Sequence, residues 1–299
     1  MPPGQSLRAE RISDRLFLIR GGGRTVSIGG ADVPNAGNTL AFVGARGVVL
    51  VDTKLAGGAP DLLATVAEIT DRPITAVVNT HAHMDHVGGN PGFPAGTEVV
   101  AHETTAALMR EMRPVSGGPA QPNLFAESGG RGLPTRTFRD HLVLGQGPDR
   151  VELHHFGPAH SGGDTWVVFP GERVVHAGDA FAHKTVPVLD TNNGASGLCY
   201  PDTLERAAAA LTGVDIVIGG HYPGLLSRDD LRLYAAFTRA FVDAVRAARS
   251  AGGSIEGFVE AWTLPERFRQ AGYVSMAHLR PLRADVAAIW DELARDGRG

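Results

Sequence analysis

The sequence predicts an α/β protein whose strands fall in two groups with helices outside them. Three observations carry that expectation. Short apolar runs separated by glycines fill the first fifty residues. A second set of strand-like runs begins near Arg136, and helical spacing dominates after Pro201. With 299 residues, of which 43% are hydrophobic, the chain can bury a full core. No repeat and no low-complexity linker marks a boundary. The expectation is one domain over 1–299, with a core over about 8–225 and a helical extension over about 226–299.

Leu16 to Ile19, Thr39 to Val43 and Gly47 to Val51 read as strands. Asp61 to Ile69 carries Leu62, Leu63, Val66 and Ile69 at helical spacing. Ile74 to Asn79 reads as a buried strand, followed by a strand over Glu98 to Ala101 and a helix over Thr104 to Met112. Residues 113–135 are rich in Gly and Pro and lack periodicity, as a lid or binding loop would. Strands are then expected over Thr137 to Leu144, Val151 to Phe156, Thr165 to Phe169 and Arg173 to His176. A helix over Asp202 to Leu211, a strand over Asp215 to Ile218, and helices over Leu231 to Ala248 and Ala284 to Leu293 close the pattern.

Composition narrows the function. A net charge of −4 and a pI near 6.3 give no basic field for nucleic acid. No segment reaches the roughly 18 apolar residues of a membrane span, and the start lacks a signal-peptide pattern. The expected location is therefore the cytoplasm and the expected partner a small-molecule substrate, with a homo-oligomer left open. The single cysteine, Cys199, excludes a disulfide framework and a multi-thiolate metal site. Metal binding would have to use imidazole and carboxylate.

Such groups crowd together in Asn79-Thr80-His81-Ala82-His83-Met84-Asp85-His86-Val87-Gly88-Gly89, directly after an apolar strand. In an extended segment His81 and His83 share a face, while Asp85 and His86 lie on the following turn. Gly88 and Gly89 are expected to let the backbone bend there. Crowded imidazoles disfavour one another's charging, so the cluster is unfavourable unless a cation uses it. The spacing suits two adjacent metals better than one. Three later residues, His160, Asp179 and His221, each follow or precede a strand in a glycine-rich turn, where sheet enzymes carry function.

These motifs, in the order Leu50-Val51-Asp52-Thr53, the histidine cluster, then the turns at His160, Asp179 and His221, resemble the metallo-β-lactamase superfamily. The resemblance runs over most of the chain to about Pro223. It implies a four-layer αβ/βα sandwich, here with additional C-terminal helices, and a dinuclear site at one edge. By motif, His81, His83 and His160 would hold one metal, Asp85, His86 and His221 the other, and Asp179 would bridge both. Asp52 either accepts a hydrogen bond from a ligand histidine or bonds its own backbone in a turn. The implied cofactor is two zinc ions per chain, with iron or manganese compatible with the same donors.

The implied chemistry is hydrolysis of an ester, lactone, thioester, amide or similar bond by water bridging two metals. Asp85 would orient that water or shuttle a proton. No G-x-S-x-G elbow offers a protein nucleophile. A bridging Asp179 resembles the lactonase, thioesterase and phosphodiesterase branches more than the β-lactamases, which leaves β-lactamase-like activity as an alternative. The tRNA-processing nuclease branch is disfavoured by the acidic balance. A mononuclear iron enzyme resembling persulfide dioxygenases, with ligands matching His81, His160 and Asp179, is a further alternative. Lys184 and Tyr222 are candidate substrate contacts, as are Arg131 and Arg136 if 113–135 is a lid. His102, His141, His154, His155, His176, His183 and His278 match no ligand motif.

Overall fold

The computed structural model describes residues 6–28, 31–277 and 282–297, so His278 lies outside the described residues. The first strands are β1 (Arg8–Arg11), β2 (Leu16–Arg20), β3 (Thr25–Ile28), β4 (Ala31–Pro34), β5 (Thr39–Gly44) and β6 (Gly47–Val51). Helix α1 (Ala59–Ile69), β7 (Ile74–Val78), the single turn α2 (Met84–Val87), β8 (Glu98–His102), α3 (Glu103–Glu111), α4 (Leu124–Glu127) and β9 (Arg136–Phe138) follow. Seven of these strands form one sheet in the order β1-β2-β5-β6-β7-β8-β9, antiparallel as far as β6 and parallel from β6 to β9. The hairpin β3-β4 stands apart from it.

The second sheet contains β10 (His141–Leu144), β11 (Val151–His154), β12 (Trp166–Phe169) and β13 (Val174–Gly178). The short β14 (Thr185–Val186) precedes helix α5 (Tyr200–Ala210), and the sheet is completed by β15 (Ile216–Gly219) and β16 (Leu226–Ser227). Its order is β10-β11-β12-β13-β15-β16, with β13 and β15 parallel. Helices α6 (Arg228–Ser250), α7 (Ile255–Ala261) and α8 (Glu266–Gln270), strand β17 (Val274–Ala277) paired with β14, and helix α9 (Leu282–Arg295) end the described chain.

Alternating side chains build the layers. Leu18, Leu40, Phe42 and Val78 of the first sheet meet Leu153, Val167, Phe169 and Ile218 of the second in one buried cluster. The opposite face of the first sheet, including Leu50 and Val77, covers Leu62 and Val66 of α1. The outer face of the second sheet, including Trp166 and Val175, covers Leu204 of α5 and Phe237 and Phe241 of α6. This is the expected four-layer αβ/βα order. The C-terminal helices share the core beneath the second sheet, with Val286 and Ile289 of α9 in the same cluster as Trp166. Ser227 begins α6 with a capping box, its hydroxyl accepting from the Asp230 amide.

One expectation is corrected. The strand expected over 137–144 is two strands in different sheets, β9 and β10, because the chain crosses the sandwich at Arg139-Asp140. The alternation of Phe138, Leu142 and Leu144 runs through the crossing, so periodicity does not reveal it. Within residues 113–135, α4 buries Phe125 in a cluster with Leu108 and Met109. Sequence patterning also misses β1, whose Arg-Ala-Glu-Arg side chains are all exposed. No helix of the described residues is long and apolar enough to cross a membrane.

Phe169 is fully buried between the sheets, its ring centroid 5.2 Å from that of Phe42. Phe169→Ala should lower the unfolding free energy by about 3–5 kcal/mol in a denaturant titration. A loss below about 1 kcal/mol would contradict its place at the sheet interface.

Candidate metal centre

Parallel pairing places the site. In the first sheet β6 and β7 run side by side, and Asp52 and His81 follow their C-terminal ends. In the second, β13 and β15 run side by side, and Asp179 and His221 follow theirs. Loops beyond the carboxyl ends of parallel strands converge, and here loops of both sheets meet at one edge. Hydrogen bonds stitch the seam. The Thr165 amide donates to the Thr80 carbonyl at 2.8 Å, and the Asn38 amide to the Gly220 carbonyl at 2.6 Å. The Asn38 side chain adds a bond to the Gly219 carbonyl at 2.8 Å.

All seven ligand candidates come together. His81, His83, His160 and Asp179 present donor atoms within 4.8 Å of one another, and Asp85, His86 and His221 form an adjoining group of the same span. Asp179 lies between the groups: Oδ1 is 3.4 Å from His86 Nε2, and Oδ2 is 3.4 Å from His221 Nε2 and 3.9 Å from His160 Nε2. Asp179 can take this position because Gly178 adopts φ 52°, a backbone that a β-carbon would strain and drive into Thr80.

The imidazoles of His86, His83 and His160 are each oriented by a partner on the far nitrogen. His86 Nδ1 donates to Asp52 Oδ2 at 2.7 Å, His83 Nε2 to Asp190 Oδ2 at 2.6 Å, and His160 Nδ1 to the Val188 carbonyl at 2.9 Å. The remaining nitrogens then carry lone pairs toward the cluster. His83 Nδ1 and His160 Nε2 approach to 3.2 Å, as do His86 Nε2 and His221 Nε2. Lone pairs repel at that range unless a cation or proton lies between them. Two donors about 2.0–2.1 Å from a tetrahedral ion stand about 3.3 Å apart, which matches. Among the described residues, His81 Nε2 and Asp179 Oδ1 are buried with no hydrogen-bond partner, a deficit that metal ligation would remove.

The electrostatics ask for positive charge. Burial, with His86 and His83 beside it, holds His81 well below the usual imidazole range. Burial, with His83, likewise keeps His160 low. Burial also opposes charging of His221, but Asp179 and Asp85 outweigh it and push the group up to about 10. Despite their own burial, Asp85 and Asp179 are held below the ordinary carboxylate range by facing histidines. Two ionised carboxylates buried among imidazoles draw in protons when no metal ion is available.

Asp52 is the carboxylate that receives a ligand histidine, and it also accepts from the Thr80 amide at 2.8 Å and the Thr80 hydroxyl at 2.7 Å. Its backbone is left-handed, φ 63°, as is that of Lys54, φ 68°. Lys54 is buried and donates to the carbonyls of Ile19 at 2.7 Å and Gly37 at 2.6 Å. Burial lowers its ammonium to about 7. Gly37 lies against the His86 ring, so Lys54 braces the loop over that ligand. Gly88 and Gly89 serve differently from expectation. Both are right-handed, and their role is close contact with the 53–56 backbone, which a β-carbon would prevent.

Lys184, Tyr222 and Arg136, expected as substrate contacts, have partners within the fold. Lys184 Nζ bonds Asp230 at 2.8 Å and the Ala271 carbonyl at 3.3 Å, an attachment of the C-terminal helices rather than a free cation. Tyr222 follows His221 and sets its ring edge-on to His183 at 5.1 Å. Arg136 faces Glu98 at 3.8 Å on the first sheet's last two strands. Reading by motif misses Asp190, whose Oδ1 accepts from the amide and hydroxyl of Ser116, each at 2.9 Å. It also misses His183, buried beside His221 with neither ring nitrogen hydrogen-bonded among the described residues. His176 is structural: its Nδ1 accepts from the Gly178 amide at 3.0 Å and its Nε2 donates to the Asn38 carbonyl at 3.1 Å.

The family model for the metallo-β-lactamase superfamily matches residues 32–221, which contain every ligand candidate. The chain belongs to the metallo-β-lactamase superfamily. Among solved members, a metallo-β-lactamase from Pontibacter korlensis superposes with a TM-score of 0.60 at 21% identity, covering 78% of this chain and 99% of the other. The DIM-1 metallo-β-lactamase gives 0.60 at 18% identity, covering 80% and 99%. At these identities the likeness is one of superfamily fold. In sequence the chain is similar to the 2,4-dinitroanisole O-demethylase subunit alpha of Nocardioides sp. (strain JS1661), 28% identical over 230 residues. That match covers 74% of this chain and spans 63% of the relative's length.

Two outcomes test the centre. Asp52→Ala and Asp190→Ala should each weaken zinc binding about 10–100-fold in competition with a chelator while the protein stays folded. Unchanged affinity would remove these carboxylates from the centre. Second, His221 in the metal-free protein holds its proton below about pH 10, and a ligating imidazole must release it. Zinc affinity should therefore rise with pH from 6 toward 10. Calorimetry at pH 7 in buffers of different ionisation enthalpy should show net proton release; none would refute the assignment.

Proposed function

We propose that the protein is a metal-dependent hydrolase of small molecules, using two divalent ions, zinc by donor chemistry, held by His81, His83 and His160 on one side and Asp85, His86 and His221 on the other, with Asp179 between them. The carrying observation is the pair of adjoining donor groups, each with two imidazole nitrogens converging to 3.2 Å, and with Asp179 between them. Imidazole and carboxylate donors without a thiolate suit zinc, and iron or manganese as alternatives. Ions there would supply an acidified water and a polarised scissile group.

The chain's own groups do the rest. Asp52, Asp190 and the Val188 carbonyl fix tautomers, so the lone pairs are arranged before substrate arrives. Asp85 is the most accessible ligand, its side chain 23% exposed against 0–9% for His81, His83, His86, His160, Asp179 and His221. Open to solvent in this way, its carboxylate can orient a water and accept its proton. Tyr222 adjoins His221 in sequence, with the buried His183 ring against it, and its hydroxyl is a candidate donor to a substrate oxygen there. Substrates of the ester, lactone and thioester classes fit this reading. The relative named as an O-demethylase subunit adds activated aryl methyl ethers, whose cleavage by water is also a hydrolysis.

Purified protein should carry about two zinc ions per chain and hydrolyse at least one member of a panel of lactones, thioesters, phosphodiesters, β-lactams and 2,4-dinitroanisole. The double variant His81→Ala, His83→Ala should lose turnover and most bound metal, and Asp179→Ala should lose at least one ion while folded. Full activity in the double variant would overturn the reading. One iron per chain with oxygen consumption on persulfides would replace it with the dioxygenase alternative.

A further inference from the structure

We propose that His141, Glu152 and His154 form a separate surface site for a divalent transition cation, of which zinc is the probe used here. The three donors lie on one face of the β10-β11 hairpin, at the edge of the second sheet. His141 and His154 are directly opposite in register, and Glu152 is two residues before His154 on the same strand. Period-two alternation therefore sends all three side chains to the same side. Their ligand atoms lie within 4.8 Å of one another, and they share no residue with the centre described above.

The carboxylate is arranged to serve both rings. Arg150 Nε donates to Glu152 Oε1 at 2.6 Å, leaving Oε2 to the histidines. Oε2 lies 3.1 Å from His154 Nε2 and 4.0 Å from His141 Nε2. These separations bracket the roughly 3.3 Å between neighbouring donors on a tetrahedral ion. His141, its side chain 44% exposed, can rotate to close the longer gap, whereas Glu152 and His154 are 21% and 24% exposed and held in place. The His154 ring stacks on Phe156, centroids 5.5 Å apart and planes 3° from parallel. The two histidine rings lie 4.5 Å apart. Burial, with His141 beside it, holds the His154 imidazole below its ordinary range, so a neutral ligand is available there near pH 7. Solvent would fill the remaining coordination positions. An ion bridging His141 to β11 would also fasten β10, the sheet's edge strand.

Full-length protein is dialysed to equilibrium against zinc, and bound metal per chain is counted for wild type, His141→Ala and His154→Ala. Each variant should hold one ion fewer than wild type. Copper(II) bound at this site should show two imidazole nitrogens by electron paramagnetic resonance in wild type and one in His141→Ala. Equal zinc counts in wild type and both variants, or copper spectra that do not change, would overturn the proposal. The ions remaining in the variants report on the inner centre, so failure of this site and failure of the dinuclear reading give different results.

Discussion

The Asp52 carboxylate is the contact on which the centre depends. It is fully buried and accepts from the Thr80 amide, the Thr80 hydroxyl and His86 Nδ1. One side chain thus joins the ends of β6 and β7 to the ligand turn. A carboxylate there would be unfavourable alone, and it is compensated by three donors and the nearby Lys54 ammonium. The left-handed backbone at Asp52, of the kind that costs roughly 1–3 kcal/mol in a non-glycine residue, aims the carboxylate under His86. His86 in turn fixes the near side of the group that Asp85 and His221 complete.

The rest of the centre repeats that arrangement on the other side. Asp190 holds His83 and is itself held by Ser116 and Asn193, so a segment far along the chain orients the first ligand cluster. Neutral His81 and His160 lie at one side and the proton-loving His221 at the other, with Asp179 between. Burial alone would empty such a site of charge. Two carboxylates reverse that for the group around His221, which gives the metal-free protein a place for protons that a divalent ion can take.

Much of this was legible in the sequence, because the ligands are local in their motifs and sit at strand ends that hydrophobic runs mark clearly. His81 through His86 follow an apolar strand, and the turns at His160, Asp179 and His221 are flagged by glycines. What was not legible arises from long-range pairing. Asp190 and Asn38 occupy no recognisable pattern; each matters because the fold carries it to a loop 107 or 181 residues away. Lys54 reads as a polar residue in a turn, and only its burial beneath Gly37 reveals a brace. Arg139-Asp140 changes sheets without interrupting the apolar alternation, so the crossing is invisible until the strands are paired.

The seam between the sheets has a consequence for the order of synthesis. The ligands are divided between loops of the two sheets, and they enter the chain as His81 to His86, then His160, then Asp179, then His221. A nascent chain that ends before His160 carries only the first four donors, on one sheet. The complete set exists only once the ribosome has added His221 and β13 has paired with β15. The complete donor set is thus assembled late, and a truncated product lacking the second sheet would expose a histidine cluster without the partners that tame it.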